Sequence, residues 1–466
     1  MYGTGTMNEM NIFFRHLYYR YQIWYHSLRS TYALLIVYTF YVLITFGLLC
    51  LPICRNCSSV PAIDILFTAI ATISTSGMDT VGFAQTYNTL GQIVVLLGIQ
   101  IAGLGYMSLG SCVILASKGR VSKKRLKIGQ AVLAMPDFFD PTRFMRHIVI
   151  YTLSIEAIGA LILWACFWSA GVPYPLWAAI FHSISGFCTA GISFFPDNLV
   201  QFSDNAAVCL TMAALCLLGG IGFIVMEDVH RSFKKKSLRT TLTTRIILAA
   251  TFGCLFVGTL FLFFDPHIAE FSLKKRLLTA FFQTVSALTT AGFHTIPVNT
   301  LTAATLVIVI ILMILGASPS GTGGGLKSTT WSAAIATVLC FFRGKDEITF
   351  FGSTVPNSRT TAAFAAITLY MTTFAMGIYC LLLFDSSHQF EQIVFEVAAA
   401  LGTVGLSKDV TSSLPTSGKI VIMFLMYIGR LGVLSLALGA VALYHDISYD
   451  RRASTDEDVK EEDIVL

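Results

Sequence analysis

Charge is what this sequence has least of. Lys, Arg, Asp and Glu make up 12% of its 466 residues, about half the share usual in a soluble domain. Apolar residues reach 55% and the mean hydropathy is +0.72. A soluble chain of this length needs far more polar surface to cover its core. The composition therefore excludes a soluble enzyme, a nucleic-acid binder and a secreted disulfide scaffold, and points to a membrane protein with many spans. No apolar stretch precedes Thr31, so no cleavable signal peptide is expected. Neither a metal-ligand cluster nor a nucleophile–base constellation is apparent, so catalysis has no candidate residues. The eleven cysteines are no disulfide framework: Cys112, Cys166, Cys209, Cys216, Cys254, Cys340 and Cys380 sit in apolar runs as small core residues. Cys54 and Cys57 form a C-x-x-C in a short polar loop, where a labile disulfide requires that the loop face an oxidising side.

Apolar runs mark spans near 31–53, 90–117, 148–170, 206–227, 246–264, 302–342, 362–384 and 419–445. After each odd-numbered span comes a shorter apolar piece, at 64–73, 178–187, 279–288 and 392–401. Ten residues of helix cover about 15 Å, half a bilayer, so these pieces read as re-entrant half-helices. With the N-terminus inside, 23 Lys and Arg fall on the inner side and six on the outer (Arg55, Lys274, Lys275, Arg276, Lys408 and Lys419). That bias puts both termini in the cytoplasm and all four short pieces outside. The stretch from Asp450 onward is acidic and reads as a mobile tail.

The four short pieces share one pattern, Phe-x7-Thr-x-Gly, at Phe67…Gly77, Phe181…Gly191, Phe282…Gly292 and Phe395…Gly405. The glycines are 114, 101 and 113 residues apart, so the chain repeats one unit four times: span, half-helix, glycine strand, span. A short helix ending in x-Thr-x-Gly-x turns the backbone so that successive carbonyls can face one axis, with glycine supplying the positive φ. Irregular backbone at membrane depth is tolerated only where it is buried or lines water. Four such strands on a pseudo-fourfold axis would replace the hydration shell of a monovalent cation. One copy alone would read as an ordinary helix C-cap; four on the same side favour an ion filter.

At these motifs the chain resembles the Trk/Ktr/HKT superfamily of potassium and sodium uptake proteins, over about 31–444. The filter motifs stand as Ser74-Thr75-Ser76-Gly77, Cys188-Thr189-Ala190-Gly191, Thr289-Thr290-Ala291-Gly292 and Gly402-Thr403-Val404-Gly405. Glycine in all four central positions is similar to the potassium-selective members, whereas sodium-preferring plant-type relatives carry serine in the first. Met78, Cys188 and Gly402 depart from the usual residues.

Each second span is also glycine-rich. Gly103-Leu104-Gly105 and Gly219-Gly220-Ile221-Gly222 suit close helix packing. The third, 316–329, packs one proline and five glycines into fourteen residues, which should break the helix in two. It lacks the Gly-Lys-Ser of a phosphate loop, because Leu326 intervenes and no strand precedes it. By resemblance it is an intramembrane gating loop, made of Gly316, Ser318, Ser320, Gly321, Thr322, Gly323, Gly324, Gly325 and Lys327. In the fourth, Gly429-Arg430-Leu431-Gly432, Arg430 is a cation set deep in an apolar span, which is costly unless it is partnered. Beside a cation path it would raise a barrier and bond loop carbonyls, the part that an arginine at this motif plays in the family. Asp79, Asp197, Asp204 and Asp409 could steer cations as a group or be ordinary loop carboxylates. His182 and His294 flank filters and read as hydrogen-bonded structural histidines, and Glu156 as a buried residue in want of a partner.

The expected fold is an all-α membrane protein of four parallel membrane-helix/pore-helix/membrane-helix repeats, with eight transmembrane spans and four re-entrant half-helices. It divides into an N-terminal segment (1–30), repeat 1 (31–117), a basic loop (118–147), repeat 2 (148–227), a second basic loop (228–245), repeat 3 (246–342, with the gating loop at 316–328), a cytoplasmic loop (343–361), repeat 4 (362–445) and an acidic tail (446–466). The leading function is non-enzymatic potassium uptake across the cytoplasmic membrane, with K⁺ in the filter and Na⁺ as a potential coupling or activating ion. The alternative is a sodium-coupled or sodium-conducting transporter of the same fold. A secondary transporter with inverted repeats and a midplane site would instead show halves of opposite topology. The first span begins near Thr31, without two preceding helices, and this resembles the Ktr type. That resemblance implies a homodimer with one pore per protomer, and a cytosolic nucleotide-binding (RCK-type) regulatory subunit on the inner basic loops.

Overall fold

The computed structural model describes residues 30–56, 60–116, 141–234, 240–344, 347–433 and 436. One compact unit covers Leu34–Val433; the other joins Met1–Ala33 to Leu434–Leu466, nearly all of it outside the described residues. The described residues are helical except for loops and one antiparallel hairpin of two-residue strands, Thr349–Phe350 and Ser353–Thr354.

In chain order the helices are α1 (Ser30–Leu49), α2 (Ala62–Ser74), α3 (Thr89–Ala116), α4 (Pro141–Ser169), α5 (Pro175–Phe187), α6 (Ala206–Ile221), α7 (Phe223–Lys234), α8 (Leu242–Phe263), α9 (Leu273–Leu288), α10 (Ala303–Leu315), α11 (Ser328–Phe342), α12 (Asn357–Phe384), α13 (Phe390–Leu401) and α14 (Thr416–Leu431). Their starts follow local chemistry. Asn205 accepts from the amides of Ala207 and Val208 to begin α6, Thr241 from Thr244 to begin α8, and Thr302 from Thr305 to begin α10. Pro175 opens α5 in the first turn, where its missing N–H costs nothing.

The four short helices α2, α5, α9 and α13 cover the four expected half-helices. The run at 302–342 breaks between Leu315 and Ser328, as its glycines and proline require. Two expectations need correction. The 206–227 run is not one straight helix: α6 and α7 meet at Gly222, φ +90°, with a bend of 90°. The 419–445 run does not continue as one helix either, because α14 ends at Leu431 before Gly432, φ +84°. By length and composition, Arg146–Ser169 within α4, α8 and α12 can each cross a membrane, and the bent α6–α7 pair adds a fourth candidate. Leu35–Leu49, Thr89–Leu104, α10 and α11 are shorter apolar helices.

The short helices α5, α9 and α13 pack between their neighbours in the chain and α2 packs on α3; each also lies against the second helix of the preceding unit: α5 on α3, α9 on α6, α13 on α10, and α2 on α14. The relation is cyclic, since the last unit returns to the first. One apolar cluster runs through α1–α10 and α13. A second closes the cycle, setting Phe67 and Ala71 of α2 among Tyr370, Val397 and Leu425 of α12–α14. The buried phenylalanines Phe67, Phe181, Phe282 and Phe395 anchor the short helices.

Candidate functional site

The four short helices end alike. Thr75, Thr189, Thr290 and Thr403 stand at φ 52°, 50°, 57° and 51°, in the left-handed region. The next residue's amide then reaches back five positions: Ser76 to Ala71 O (3.0 Å), Ala190 to Ser185 O, Ala291 to Ser286 O and Val404 to Ala399 O (2.8 Å each). This is a Schellman-type cap, normally given to glycine. A β-branched residue there is strained, and persists only where its surroundings over-determine it. The glycine two residues on is also at positive φ: 72° at Gly77, 67° at Gly191, 79° at Gly292 and 88° at Gly405. The sequence reading assigned positive φ to the glycines and missed the threonines, because threonine as a residue type gives no such signal.

The four segments converge on one another. A Cβ built on Gly77 would fall on the Ala190 carbonyl oxygen, and one on Gly191 on that of Ala291. One on Gly292 would fall on that of Val404, and one on Gly405 on that of Ser76. The contacts close a ring in chain order, so each glycine serves twice, once for its φ and once for backbone approach. Of the sixteen motif residues, all but the half-buried Gly77 and Gly405 are buried.

The loop at 316–327 lies against this ring. Its base is closed on itself by Ala317 N to Gly324 O (3.1 Å), Leu326 N to Ile314 O (2.9 Å) and Ser328 N to Ala317 O (3.0 Å), with Gly316 and Gly325 in mutual contact at positive φ. It docks on the α6–α7 bend. Ser318 N donates to Gly220 O (3.0 Å), Thr322 N to Gly219 O (3.1 Å) and Ser318 Oγ to Ile221 O (2.5 Å). The first amides of α7, which lack intrahelical partners, are taken by Ser320: Phe223 N by its carbonyl and Ile224 N by its hydroxyl, both 3.2 Å. Gly321 packs directly on the Gly220 carbonyl. The Lys327 ammonium donates to Gly323 O and, at 3.5 Å, to Gly324 O.

On its other side the loop meets the ring. Thr322 Oγ1 donates to Phe187 O (3.0 Å) and lies 3.1 Å from Thr189 Oγ1. Gly324 N donates to Thr290 Oγ1 at 2.7 Å. Gly323 abuts the Thr289 carbonyl, and Gly324 abuts Gly402 and the Thr403 hydroxyl. Arg430 completes the set, donating from Nη1 to Thr75 Oγ1 (2.8 Å) and Thr322 O (2.5 Å), and from Nη2 to Ala102 O (2.8 Å). Loop and guanidinium thus touch all four strained threonines. Arg430 does not snorkel: it is buried in the last turn of α14, where the helix C-terminus favours a cation.

Other candidates fall out as follows. Glu156 is buried behind the second segment, its carboxylate 3.7 Å from Cys188 Sγ, and Gly103 packs on that cysteine. Asp79 accepts from the amides of Val81 and Phe83, Asp204 pairs with Lys275 at 2.9 Å, and Asp409 accepts from Asn299 at 2.8 Å. His182 is buried with both ring nitrogens hydrogen-bonded. His294 lies beside the second segment's loop, its amide donating to Asn198. Cys54 is buried, while Cys57 lies outside the described residues, as do 117–140 and 235–239 of the basic loops.

A helical membrane protein gathered around a closed ring of main-chain turns is the class these elements define. The chain belongs to the TrkH family of cation transport proteins, whose model matches residues 10–448. It is similar to the Ktr system potassium uptake protein B of Vibrio alginolyticus, 34% identical over 84% of this chain and 86% of that one. The potassium/sodium uptake protein NtpJ of Enterococcus hirae is 32% identical over 86% and 91%. In fold it is similar to the potassium transporter TrkH of Vibrio parahaemolyticus, with a TM-score of 0.68 and 21% identity over 89% of this chain and 85% of that one.

Proposed function

We propose that the chain takes up potassium across the cytoplasmic membrane, through a filter made by the four Thr-x-Gly segments on a pseudo-fourfold axis between four two-span repeats. The observation that carries this is the ring contact from Gly77 round to Gly405 and back to Ser76. Main-chain oxygens of 74–77, 188–191, 289–292 and 402–405 stand in for the water of a dehydrated alkali cation. Flux runs down the membrane potential, worth about 2.3 kcal/mol per charge per 100 mV. The loop from Gly316 to Lys327 is the gate, and the arrangement described is its closed state, with Arg430 as the bolt. Both termini are cytoplasmic. A homodimer, and a nucleotide-binding regulatory subunit on the basic inner loops, belong to the same reading. The test is growth rescue of a potassium-uptake-deficient bacterium at low external potassium, comparing wild type with Gly77→Ser. Equal rescue by both, with sodium carried as well, overturns potassium selectivity.

The name of the Enterococcus hirae relative favours a second reading, in which sodium passes through or is coupled in the same pore. Potassium flux that rises with external sodium, or sodium flux equal to it in proteoliposomes, would establish that reading instead.

A further inference from the structure

The residue after each anchoring phenylalanine is polar and buried: Thr68, His182, Gln283 and Glu396. Such groups are costly inside a protein unless they are hydrogen-bonded. Three of the four reach side chains or backbone of the stretch that leaves the ring. His182 Nδ1 donates to Ala178 O at 2.8 Å, so in the neutral ring Nε2 accepts, taking the Ser193 hydroxyl at 2.8 Å. Ser193 in turn accepts from Phe195 N at 3.0 Å, and the Phe195 ring stacks on the imidazole with centroids 4.6 Å apart. Glu396 accepts from the Ser407 hydroxyl (2.5 Å), the Lys408 amide (2.9 Å) and the Thr411 hydroxyl (2.7 Å). Gln283 Nε2 donates to Ile296 O at 3.4 Å. Thr68 turns back onto Asp64 O of its own helix, and there Asp79 ties its own loop down through the amides of Val81 and Phe83.

Ser193 and Ser407 hold the same place, two residues beyond Gly191 and Gly405. In the ring those are the second and fourth segments, which do not neighbour one another. Ring neighbours brace each other through their glycine contacts; among the described residues no such direct brace spans the ring between the second and fourth segments. We propose that His182 and Glu396 are positioning residues that fix this width through Ser193 and Ser407, and so set the discrimination between potassium and sodium. The proposal rests on the transport reading above. A fully satisfied buried network rigidifies what it holds, and a ring of carbonyls free to shrink would admit the smaller ion.

The test uses full-length protein in proteoliposomes, with potassium and sodium flux measured on the same preparations. His182→Ala, Ser193→Ala, Glu396→Ala and Ser407→Ala should each lower the potassium-to-sodium ratio by about tenfold, the effect of losing one buried hydrogen bond. The His182→Ala/Ser193→Ala pair should lower it no further than either alone. Glu396→Gln, which keeps an acceptor, should stay within about threefold of wild type. The serine variants lose a single hydroxyl and fold even if the larger truncations do not. An unchanged ratio in both serine variants, or full additivity in the double variant, overturns the proposal. Absence of potassium flux in the wild type strikes the transport reading instead. Amide exchange at Phe195 and Lys408 then decides: faster in Ser193→Ala and Ser407→Ala than in wild type supports the clamps, and unchanged exchange overturns them.

Discussion

The guanidinium of Arg430 sits 2.8 Å from the Thr75 hydroxyl, joining the end of α14 to the first segment of the ring across 355 positions of sequence. The same nitrogen holds Thr322 of the loop, so one side chain fastens loop to ring where, among the described residues, the loop itself makes no hydrogen bond to the first segment. Hydrogen bonds from a charged donor contribute about 1.5–3 kcal/mol each. Arg430→Ala should therefore favour the undocked loop and raise potassium flux by about tenfold or more. Unchanged or lower transport, with normal membrane insertion, would remove Arg430 from the gate.

The ring glycines carry two separable demands, positive φ and contact with the neighbouring carbonyl. Gly171 supplies the control: its φ is +70°, and among the described residues beyond its two chain neighbours no atom lies within 4 Å of a Cβ placed there. A side chain in that conformation costs roughly 1–2 kcal/mol. Gly171→Ala should thus leave transport intact, whereas Gly191→Ala, whose Cβ collides with the Ala291 carbonyl, should abolish potassium preference. Equal transport by the two variants in a paired uptake assay would show that conformation alone selects glycine here.

The half-helices and the broken third second span were legible because each has a periodic or compositional mark: Phe-x7-Thr-x-Gly for the first, five glycines and a proline for the other. The bend at Gly222 was not, because Gly219-Gly220-Ile221-Gly222 has the small-residue composition that helix packing also uses. Only the docked Ser318 and Ser320 distinguish the two cases. Arg430 was recognised as anomalous from its place in an apolar run that continues past Gly432, although α14 itself ends at Leu431; which groups would partner it gave no sign in the sequence. The polar residue at Thr68, His182, Gln283 and Glu396 was invisible as a motif because four different side chains fill one position.

Gly222 offers a second approach to the proposed gate. At φ +90° and ψ 163° it occupies backbone space essentially reserved for glycine, and a Cβ there would lie 2.5–2.6 Å from Ser318 Oγ, Ser320 Oγ and Gly321 N. Gly222→Ala should unseat the loop from the α6–α7 bend and raise flux in the direction of Arg430→Ala. Because both act on the same docking, the double variant should exceed the stronger single variant by less than the product of the two effects. Multiplicative effects in flux assays would place the two residues on separate devices.

Asp265 links stability to pH at the turn between α8 and α9. Burial pushes its carboxyl up, but hydrogen bonds from the Thr305 and Thr302 hydroxyls and the Thr302 and Ile268 amides outweigh this and hold it below its ordinary 3.8. A depressed folded value means stability that is fully present above the unfolded value and lost as pH falls through the folded one. The melting-temperature gap between wild type and Asp265→Asn should be constant from neutrality down to about pH 5 and then narrow below about pH 4. A gap that widens on acidification would reverse the sign assigned to this carboxylate.

The seam that returns the last unit to the first holds one further charge pair, Lys419 Nζ to Asp64 Oδ1 at 2.6 Å, with the side chains 12% and 7% exposed. Beside it lie the apolar contacts of α2 with α14 and the Ser76–Met426 contact at 2.7 Å, so closure does not depend on charge alone. Removing one member of such a buried pair strands the other and costs about 3–5 kcal/mol, whereas replacing both with apolar groups is often neutral. Lys419→Met should accordingly lower thermal stability in detergent sharply, and Asp64→Leu added to it should restore most of the loss. If the double variant were as unstable as the single, the pair would be supplying more than mutual neutralisation. The closing of the cycle would then depend on the ion pair itself rather than on the apolar seam around it.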